Sequence, residues 1–216
     1  MGTENDARTT VDSDVRSAFD GVPSAVVSDV VDRGVAMDSG IEPIDPGTEL
    51  VGRARTVNAA PGDNLAIHRA ITLAEPGDVL VVDGEGYTET ASVGELMCAS
   101  CRAHDLAGLV IDGAIRDRAE VARMGFPVFA RGTHPAGPGK EFEGSVDEPV
   151  TCGGIRVEPG DLVVGDGDGV CVVPASEAAS VLERAREKLD AEAELLDRVE
   201  GGEYLYEIGG YGDVEG

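Results

Sequence analysis

The pattern of apolar and polar positions is clearest in residues 90–127, where two helical repeats flank a short apolar run. Gly94 and Glu95 stand before the first repeat. Its apolar members are Leu96, Met97, Cys101 and Leu106. Their intervals predict a helix, and the β-rich residues 109–111 after it predict a strand. The stretch therefore predicts an α/β unit.

Charged residues mark the start of the second helical repeat. Asp112-Gly113 is typical of a turn at the end of the strand. Arg116 and Asp117 follow at the head of the helix, and Gly125, a residue type favoured just past a helix end, closes it. The order helix, strand, helix start brings two helix N-termini into one unit.

Outside this stretch, the pattern predicts alternating helices and strands as far as residue 130 and short strands after it. The predicted elements, in chain order, are two short helices within 14–34, a strand at 50–59, a helix from 64 to 74, strands at 79–82 and 128–130, several short strands within 147–174 and a helix at 175–199. Ser24 and Asn64 are the predicted N-caps of the second and third helices. This order predicts the α/β class with a mixed sheet. We expect a flexible N-terminal segment at 1–12, a single domain at 13–200 and a tail at 201–216.

Charge limits the classes of partner. The chain has 216 residues, with 42 Asp and Glu against 17 Lys and Arg, a net charge of -25, and its two lysines are Lys140 and Lys188. Such a charge repels phosphate backbones and anionic lipid, so we expect no nucleic acid and no membrane partner. The polar N-terminus is unlike a signal peptide, which favours a cytoplasmic location. The spread of acidic residues and the scarcity of lysine favour a protein from a halophilic archaeon over an ordinary acidic protein.

The residues at the two helix N-termini suit a small anion and a cation. Backbone N–H groups in the first turn of a helix lack partners, so those of residues 94–97 are candidates to bind a carboxylate. Arg116 offers a planar fork for the same carboxylate. Asp117 is a candidate ligand for a divalent cation, because Mg²⁺ and Mn²⁺ prefer oxygen ligands and Mg²⁺ keeps several waters. This set suits a small α-keto acid bound to a metal ion.

Each of these residues also has an interpretation that involves no ligand. Asp117, with Glu120 three residues later, has the spacing of an N-terminal capping box. Arg116 is typical of a surface ion pair, and Gly94 of a loop. The functional interpretation depends on the combination of these residues, and the sequence leaves both interpretations open.

Cysteine and histidine spacing argues against a zinc or redox site. Cys98 and Cys101 form a C-x-x-C pair inside the predicted helix, but no second pair completes a metal site. His68, His104 and His134 lie in three different predicted elements. We therefore expect the cysteines to be buried small hydrophobic residues.

Four short motifs resemble the RraA-like family. They are GELM at 94–97, IDGAIRD at 111–117, VGDGDGVCVVP at 164–174 and PGDNLAIH at 61–68. The similarity extends over residues 22–200. That family includes metal-dependent 4-hydroxy-4-methyl-2-oxoglutarate aldolases. The resemblance implies a swivelling α/β/α-type fold with a mixed central sheet and a long C-terminal helix, assembled as a homotrimer or a hexamer.

The resemblance implies a lyase that releases pyruvate from a 4-hydroxy-2-oxo acid and that also decarboxylates oxaloacetate. The cleavage can use either a metal ion that polarises the keto oxygen or a lysine that forms a Schiff base. The lysine route is disfavoured because Lys140 lies in a Pro/Gly loop and Lys188 in a charged helix. Asp117 then holds Mg²⁺ or Mn²⁺, and Glu95, where related aldolases more often have Asp, orients a water for proton transfer. The candidate catalytic residues are Glu95, Arg116 and Asp117, and the candidate substrate-binding residues are Gly94, Glu95, Leu96, Met97 and Arg116.

Further consequences of the resemblance concern partners and alternatives. It implies an acidic group from a neighbouring subunit, for which Glu200, Glu203 and Glu207 are candidates by location. Some family members resemble protein-binding inhibitors of a ribonuclease, and this non-catalytic function is the alternative. Others are labelled demethylmenaquinone methyltransferases, which would require a G-x-G-x-x-G loop after the first strand, and the chain has none there.

Overall fold

A computed structural model describes residues 10–31 and 34–211, in which helices and strands alternate as predicted. Residues 1–9 of the predicted flexible segment and 212–216 of the predicted tail lie outside the described residues. The helices are α1 (Ser13–Ser17), α2 (Ser24–Asp29), α3 (Leu65–Leu73), α4 (Glu95–Ala103), α5 (Arg118–Met124), α6 (Ala178–Glu200) and α7 (Leu205–Ile208). The strands are β1 (Glu42–Pro43), β2 (Leu50–Asn58), β3 (Asp78–Val93), β4 (Gly108–Ile115), β5 (Val128–Thr133), β6 (Ser145–Val146), β7 (Val150–Cys152), β8 (Ile155–Val157), β9 (Leu162–Asp166) and β10 (Gly169–Val173).

A mixed sheet of eight strands forms the centre of the fold. Strands β2, β3, β4 and β5 are parallel, β3 lying between β2 and β4, and β4 between β3 and β5. Strand β1 pairs antiparallel with β5 at one edge, whereas β9 and β6 pair antiparallel with β2, and β10 lies beyond β9. Strands β7 and β8 form a separate hairpin. The predicted α/β class, with a mixed central sheet and a long C-terminal helix, is therefore confirmed.

Both faces of the parallel strands are covered. Helices α3, α4 and α5 pack on one face, where Ile67, Cys101 and Val121 join the apolar side chains of β3 and β4. The β7–β8 hairpin covers the other face through side chains such as Val150 and Val157. Helices α1, α2 and α6 pack on β9 and β10. Double coverage explains why residues 79–82, near the start of β3, form an uninterrupted apolar run rather than an alternating pattern.

The strand β4 continues through a predicted turn. Asp112-Gly113 lies inside β4, so the turn prediction is wrong. Asp112 is buried there, and its carboxylate accepts hydrogen bonds from Arg131 and from the Gly153 N–H, the latter at 2.9 Å. A carboxylate that is paired and hydrogen-bonded in this way is tolerated in a strand interior, although its residue type favours turns.

The two predicted N-caps act differently from what was expected. Ser24 is the first residue of α2, and its N–H and hydroxyl both donate to Asp166, at 2.7 and 2.6 Å. Asn64 precedes α3, but the side chain that caps this helix is Asp63, whose Oδ1 accepts from the Leu65 N–H at 2.9 Å. Both helices begin where predicted, and neighbouring carboxylates supply the caps.

The C-terminal helix α6 packs on the body through its first half only. Val181, Leu182 and Ala185 are buried, whereas residues 190–198 are exposed. Among the described residues, no helix has the length and apolarity needed to cross a membrane.

Several of the few basic side chains are committed to ion pairs. Arg53 and Arg55 share the buried Asp78, at 2.6 and 2.7 Å, and Arg131 binds Asp38 at 2.9 Å. The chain nevertheless has a net charge of -25, so exposed carboxylates are in large excess. Their mutual repulsion destabilises the compact state, and salt screens it.

We expect the thermal unfolding midpoint to rise by about 10 °C or more between about 0.1 M and about 3 M KCl. The physical reason is that the screening length falls to about 3 Å at 1 M salt, which removes most of the carboxylate repulsion. Circular dichroism in the two buffers measures the midpoint. A protein of near-zero net charge, measured in parallel, reports effects of KCl unrelated to charge. Equal midpoints for this chain would contradict the salt-adapted interpretation.

Candidate active site at the carboxyl ends of three parallel strands

The candidate residues meet where three neighbouring parallel strands end. Gly94 directly follows β3, Arg116 follows β4 and His134 follows β5. The backbone fixes these ends to one another, because the Arg116 N–H donates to Val93 O and the His134 N–H donates to Ile115 O, each at 2.9 Å. Ligands of open α/β sheets bind outside the carboxyl ends of the strands, so this edge is the expected place for a site.

Asp117 connects two of these ends through its side chain. Its backbone has φ 57° and ψ 38°, the left-handed conformation, and its carboxylate makes no capping bond to its own helix α5. Instead, Oδ2 accepts from the Glu95 N–H, the first amide of α4, at 3.1 Å. Glu120 pairs with Arg123 at 2.8 Å. The capping-box interpretation of Asp117 and Glu120 is therefore wrong.

Two glycines, Gly94 and Gly137, leave room for the Arg116 side chain to pack against the backbone. A Cβ added at Gly94 would lie 2.9 Å from Arg116 Cγ, and one added at Gly137 would lie 2.6 Å from Arg116 Nη1. The guanidinium therefore lies against backbone on two sides. Its Nε is 3.6 Å from Asp117 Oδ2, and 44% of its side chain is exposed. An exposed pair at this distance is weak, which leaves the guanidinium able to bind an anion.

The first turn of α4 offers fewer amides than the sequence predicts. The Glu95 N–H is used by Asp117, and the Met97 N–H donates to Gly94 O at 3.1 Å. The N–H groups of Gly94 and Leu96 have no hydrogen-bond partner among the described residues. Of the four predicted anion-binding amides, two thus stay available.

The side chains in this first turn are exposed. Leu96 is 82% exposed, so it does not belong to the apolar face on which Met97 and Cys101 are buried. Glu95 is exposed too, and its carboxylate has no hydrogen bond or ion pair within residues 10–31 and 34–211. Both side chains are therefore accessible to a ligand.

A shallow pocket beside Arg116 contains residues that the sequence did not single out. Its volume is about 210 Å³, and it is lined by Arg116, Asp117, Thr133, His134 and Pro135. The last three belong to the end of β5 and the loop after it. The signal that identifies them is topological, because β5 is the parallel neighbour of β4 and its carboxyl end must lie beside Arg116.

The donor set of the site fits a hydrated hard cation. No group of three or more His, Cys, Asp or Glu side chains is arranged to hold a metal within the described part of the chain. The Asp117 side chain is 40% exposed, and its Oδ1 has no partner among the described residues. Mg²⁺ binds through one or two carboxylates and keeps several waters. The residues present therefore fit Mg²⁺ or Mn²⁺ and do not fit a metal that needs a cage of protein ligands.

Lysine and cysteine chemistry are both disfavoured by the structure. Hydrogen bonds to Glu192 and Asp29 raise the pKa of Lys188, and Lys140 is exposed, whereas a Schiff-base lysine needs a lowered pKa. Burial raises the pKa of both Cys98 and Cys101 to about 12. These thiols are therefore protonated at neutral pH and inert, and the prediction that they are buried small residues is confirmed.

The fold and the site together define a mixed α/β protein with a candidate small-anion site at the ends of its parallel strands. A sequence model of the RraA-like family, described as Aldolase/RraA, matches residues 24–172. The chain belongs to the RraA-like family.

Relatives of this chain carry different kinds of name. A Halalkalibacterium halodurans protein with the provisional name 4-hydroxy-4-methyl-2-oxoglutarate aldolase is 40% identical over 86% of this chain and 88% of its own. A solved structure of an uncharacterized Pseudomonas syringae protein has a TM-score of 0.83 and 30% identity, covering 92% of this chain and 98% of its own. The solved structure of Streptomyces coelicolor RraAS2, described as an unusual member of the RNase ES inhibitor RraA family, has a TM-score of 0.79 and 31% identity. It covers 87% of this chain and 99% of its own.

We expect Gly94→Ala to weaken the binding of oxalate, a small dicarboxylate, about tenfold or more. The new Cβ would lie 2.6 Å from Asp117 Oδ2 and 2.9 Å from Arg116 Cγ, so both side chains would have to move. The backbone itself tolerates the change, because Gly94 has φ -151°, which alanine adopts freely. Titration calorimetry in the presence of Mg²⁺ measures the dissociation constant.

Gly34→Ala is the matched control for this substitution. A Cβ at Gly34 meets no atom within 4 Å, so oxalate binding should not change. If Gly94→Ala bound oxalate as well as Gly34→Ala does, the pairing of α4 with Arg116 and Asp117 would not form the anion site.

Proposed function

We propose that this chain is a divalent-metal-dependent lyase that releases pyruvate by retro-aldol cleavage of a 4-hydroxy-2-oxo acid resembling 4-hydroxy-4-methyl-2-oxoglutarate. The observation that carries the proposal is the meeting of the α4 N-terminus, Arg116 and Asp117, linked by the 3.1 Å bond from the Glu95 N–H to Asp117 Oδ2. The name of the Halalkalibacterium relative supports the same activity. Loss of carbon dioxide from oxaloacetate leaves the same pyruvate enolate, so decarboxylation is a second reaction of the same site.

The reaction needs a place for the electrons of the breaking carbon–carbon bond. The hydroxyl at C4 loses its proton, the C3–C4 bond breaks, and its electron pair moves to the keto oxygen at C2, giving the enolate of pyruvate. A proton is then added at C3. Asp117 is the residue that would hold Mg²⁺ or Mn²⁺, and such an ion acts as a Lewis acid toward a keto oxygen. The chain's own residues must bind the carboxylate, stabilise the developing charge and move two protons.

Arg116 and the first turn of α4 bind and orient the substrate in this proposal. The guanidinium fork takes the carboxylate at C1, and the N–H groups of Gly94 and Leu96 supply further donors. Because the keto oxygen is adjacent to that carboxylate, the same positive groups stabilise the charge that develops on it. Arg116 is held between two backbone segments before substrate arrives, so little reorganisation is needed.

Glu95 is the group to which we assign the proton transfers. It is exposed in the first turn of α4, one residue from Gly94 and bonded through its own N–H to Asp117. Acting through a water, its carboxylate takes the proton of the C4 hydroxyl and returns a proton to C3. Substrate, Glu95 and the Asp117 carboxylate are thereby arranged around one helix end.

A homotrimer or a hexamer is the assembly that goes with this function. The pocket beside Arg116 is shallow, and the exposed Leu96 stands in the adjoining first turn of α4. A neighbouring subunit would close such a pocket and exclude water. Of the three candidate acids near the C-terminal end of the chain, Glu203 is paired with Arg198 at 2.6 Å, which leaves Glu200 and Glu207 as the stronger candidates to reach a neighbour.

We expect Asp117→Asn to lower pyruvate release by about 100-fold or more while the fold is retained. Asparagine adopts the left-handed conformation of this position and its oxygen can accept from the Glu95 N–H, so local structure is matched. The change removes the negative charge that a hard cation needs. Added Mg²⁺ or Mn²⁺ should restore only part of the activity. Lactate dehydrogenase coupling measures pyruvate.

Asp105→Asn is the control, because Asp105 is exposed and has φ 58°, the same substitution in the same backbone conformation. Turnover in that variant should equal that of the unmodified chain. Full turnover in the Asp117→Asn variant would contradict the lyase proposal.

The second candidate function is a protein-binding regulator of a ribonuclease. It is favoured by one observation, the description of Streptomyces coelicolor RraAS2 as a member of an RNase inhibitor family. This function requires neither a metal nor the charge on Asp117. Inhibition of a ribonuclease that survives Asp117→Asn, in a chain without lyase activity, would move it to first place.

A further inference from the structure

The turn between β2 and α3 contains two buried polar side chains that the proposed chemistry does not use. Asp63 is 3% exposed and Asn64 is 4% exposed. They belong to the P-G-D-N-L-A-I-H motif at residues 61–68. Buried polar groups are costly unless they are hydrogen-bonded, so the partners of these two side chains show what the turn holds.

Asp63 fastens the loop that follows β5. Its Oδ2 accepts from the Glu141 N–H at 2.7 Å, and its Oδ1 accepts from the Leu65 N–H at 2.9 Å. Burial alone would raise the pKa of Asp63, but the surrounding backbone N–H groups lower it below the usual value. The side chain is therefore a carboxylate at neutral pH, and its bonds to backbone N–H groups are charge-assisted.

The backbone reinforces this connection. The Gly139 N–H donates to Gly62 O at 2.8 Å, and the Asn64 N–H donates to Gly139 O at 3.2 Å. Nearer the start of the same loop, Ala136 O accepts from the Ala91 N–H at 2.9 Å. The loop of residues 134–142 is thus attached to β3 near its start and to the turn in its second half.

Asn64 holds a different segment, the junction of β3 and α4. Its Nδ2 donates to Ser92 O at 3.0 Å and approaches Met97 Sδ at 3.2 Å. Ser92 and Met97 lie on either side of Gly94 and Glu95, so this side chain fixes the first turn of α4 against the end of β3.

The two segments that the turn holds are the two walls on either side of Arg116. Gly94 belongs to the β3–α4 junction, and its added Cβ would lie 2.9 Å from Arg116 Cγ. Gly137 belongs to the loop, and its added Cβ would lie 2.6 Å from Arg116 Nη1. One turn, through two adjacent side chains, therefore sets the separation of both walls.

We infer that Asp63 and Asn64 are positioning residues of the candidate site, which aim the Arg116 guanidinium by fixing the walls that enclose it. The inference rests on the proposed function for the identity of the substrate. The attachment of the loop to the turn is independent of that function. Small displacements of a group that orients a substrate carry large kinetic costs. Asp63 contributes a full charge to the attachment of the loop, so a substitution at Asp63 is the test of the inference.

Asp63→Asn should raise the Michaelis constant for the hydroxy-keto acid and the dissociation constant for oxalate about tenfold, with a smaller effect on turnover. Asparagine keeps the shape of the side chain but places a neutral amide against N–H groups that the carboxylate now accepts. Hydrogen exchange of the backbone amides in residues 134–142 should become about tenfold faster. Exchange is read by mass spectrometry and does not depend on catalysis.

Asp161→Asn is the matched control. Asp161 is 6% exposed and also accepts from two backbone N–H groups, those of Ala175 at 3.1 Å and Glu158 at 2.9 Å. It lies beside the middle of β2, where its carbonyl accepts from the Ala54 N–H at 2.8 Å. This variant should lose stability to a similar extent, with both constants within about twofold of the unmodified chain and unchanged exchange in residues 134–142.

The outcomes separate the inference from the proposed function. If Asp63→Asn matched Asp161→Asn in oxalate binding, the inference would be overturned, whether or not the loop exchanged faster. If Asp63→Asn did not fold, Gly137→Ala would decide, since it moves the wall against Arg116 at an exposed loop position, and unchanged oxalate binding there would overturn the inference. An unmodified chain that released no pyruvate would refute the lyase, while oxalate binding and exchange would still test the positioning.

Discussion

The bond from the Glu95 N–H to the Asp117 carboxylate is the interaction on which the site depends. It joins the first turn of α4 to the loop after β4, and it brings Gly94, Arg116 and Asp117 into contact. The left-handed backbone of Asp117 turns its side chain away from its own helix and toward another. A negative charge at a helix N-terminus is worth about 0.3–1 kcal/mol, so the arrangement is favourable even without a ligand.

The sequence was sufficient to predict most of the elements, though not β1, β6, α7 or the second half of β3, and it did not predict the contacts between elements. The helix at α4, the end of α5 at Gly125 and the α/β class follow from periodicity and from residue types at helix ends. The prediction of a turn at Asp112 was wrong because its carboxylate is paired with Arg131 and accepts from the Gly153 N–H, and both partners are distant in the sequence. Periodicity reports on neighbours along the chain, and a paired buried carboxylate depends on neighbours in space.

The same distinction applies to the site. Arg116 and Asp117 could be selected from the sequence because they form a charged pair at a helix start. The partner of Asp117, the first amide of α4, could not, since a capping box at its own helix has the same sequence signature. Thr133, His134 and Pro135 were missed because their position beside Arg116 follows from the parallel pairing of β5 with β4.

Net charge places a constraint on any substrate of this site. A chain of net charge -25 repels an anionic keto acid at long range, so the attraction must come from groups close to the ligand. Arg116, the free amides of α4 and the cation that we propose at Asp117 would form such a local positive region. High salt weakens the long-range repulsion while it affects contacts within the pocket much less.

The most direct test is pyruvate release from 4-hydroxy-4-methyl-2-oxoglutarate and from oxaloacetate, measured at high salt before and after treatment with EDTA. The account predicts release from both substrates, its loss with EDTA, and its return when Mg²⁺ or Mn²⁺ is added in excess. Absence of pyruvate with either metal present, or release that EDTA leaves undiminished, would contradict it.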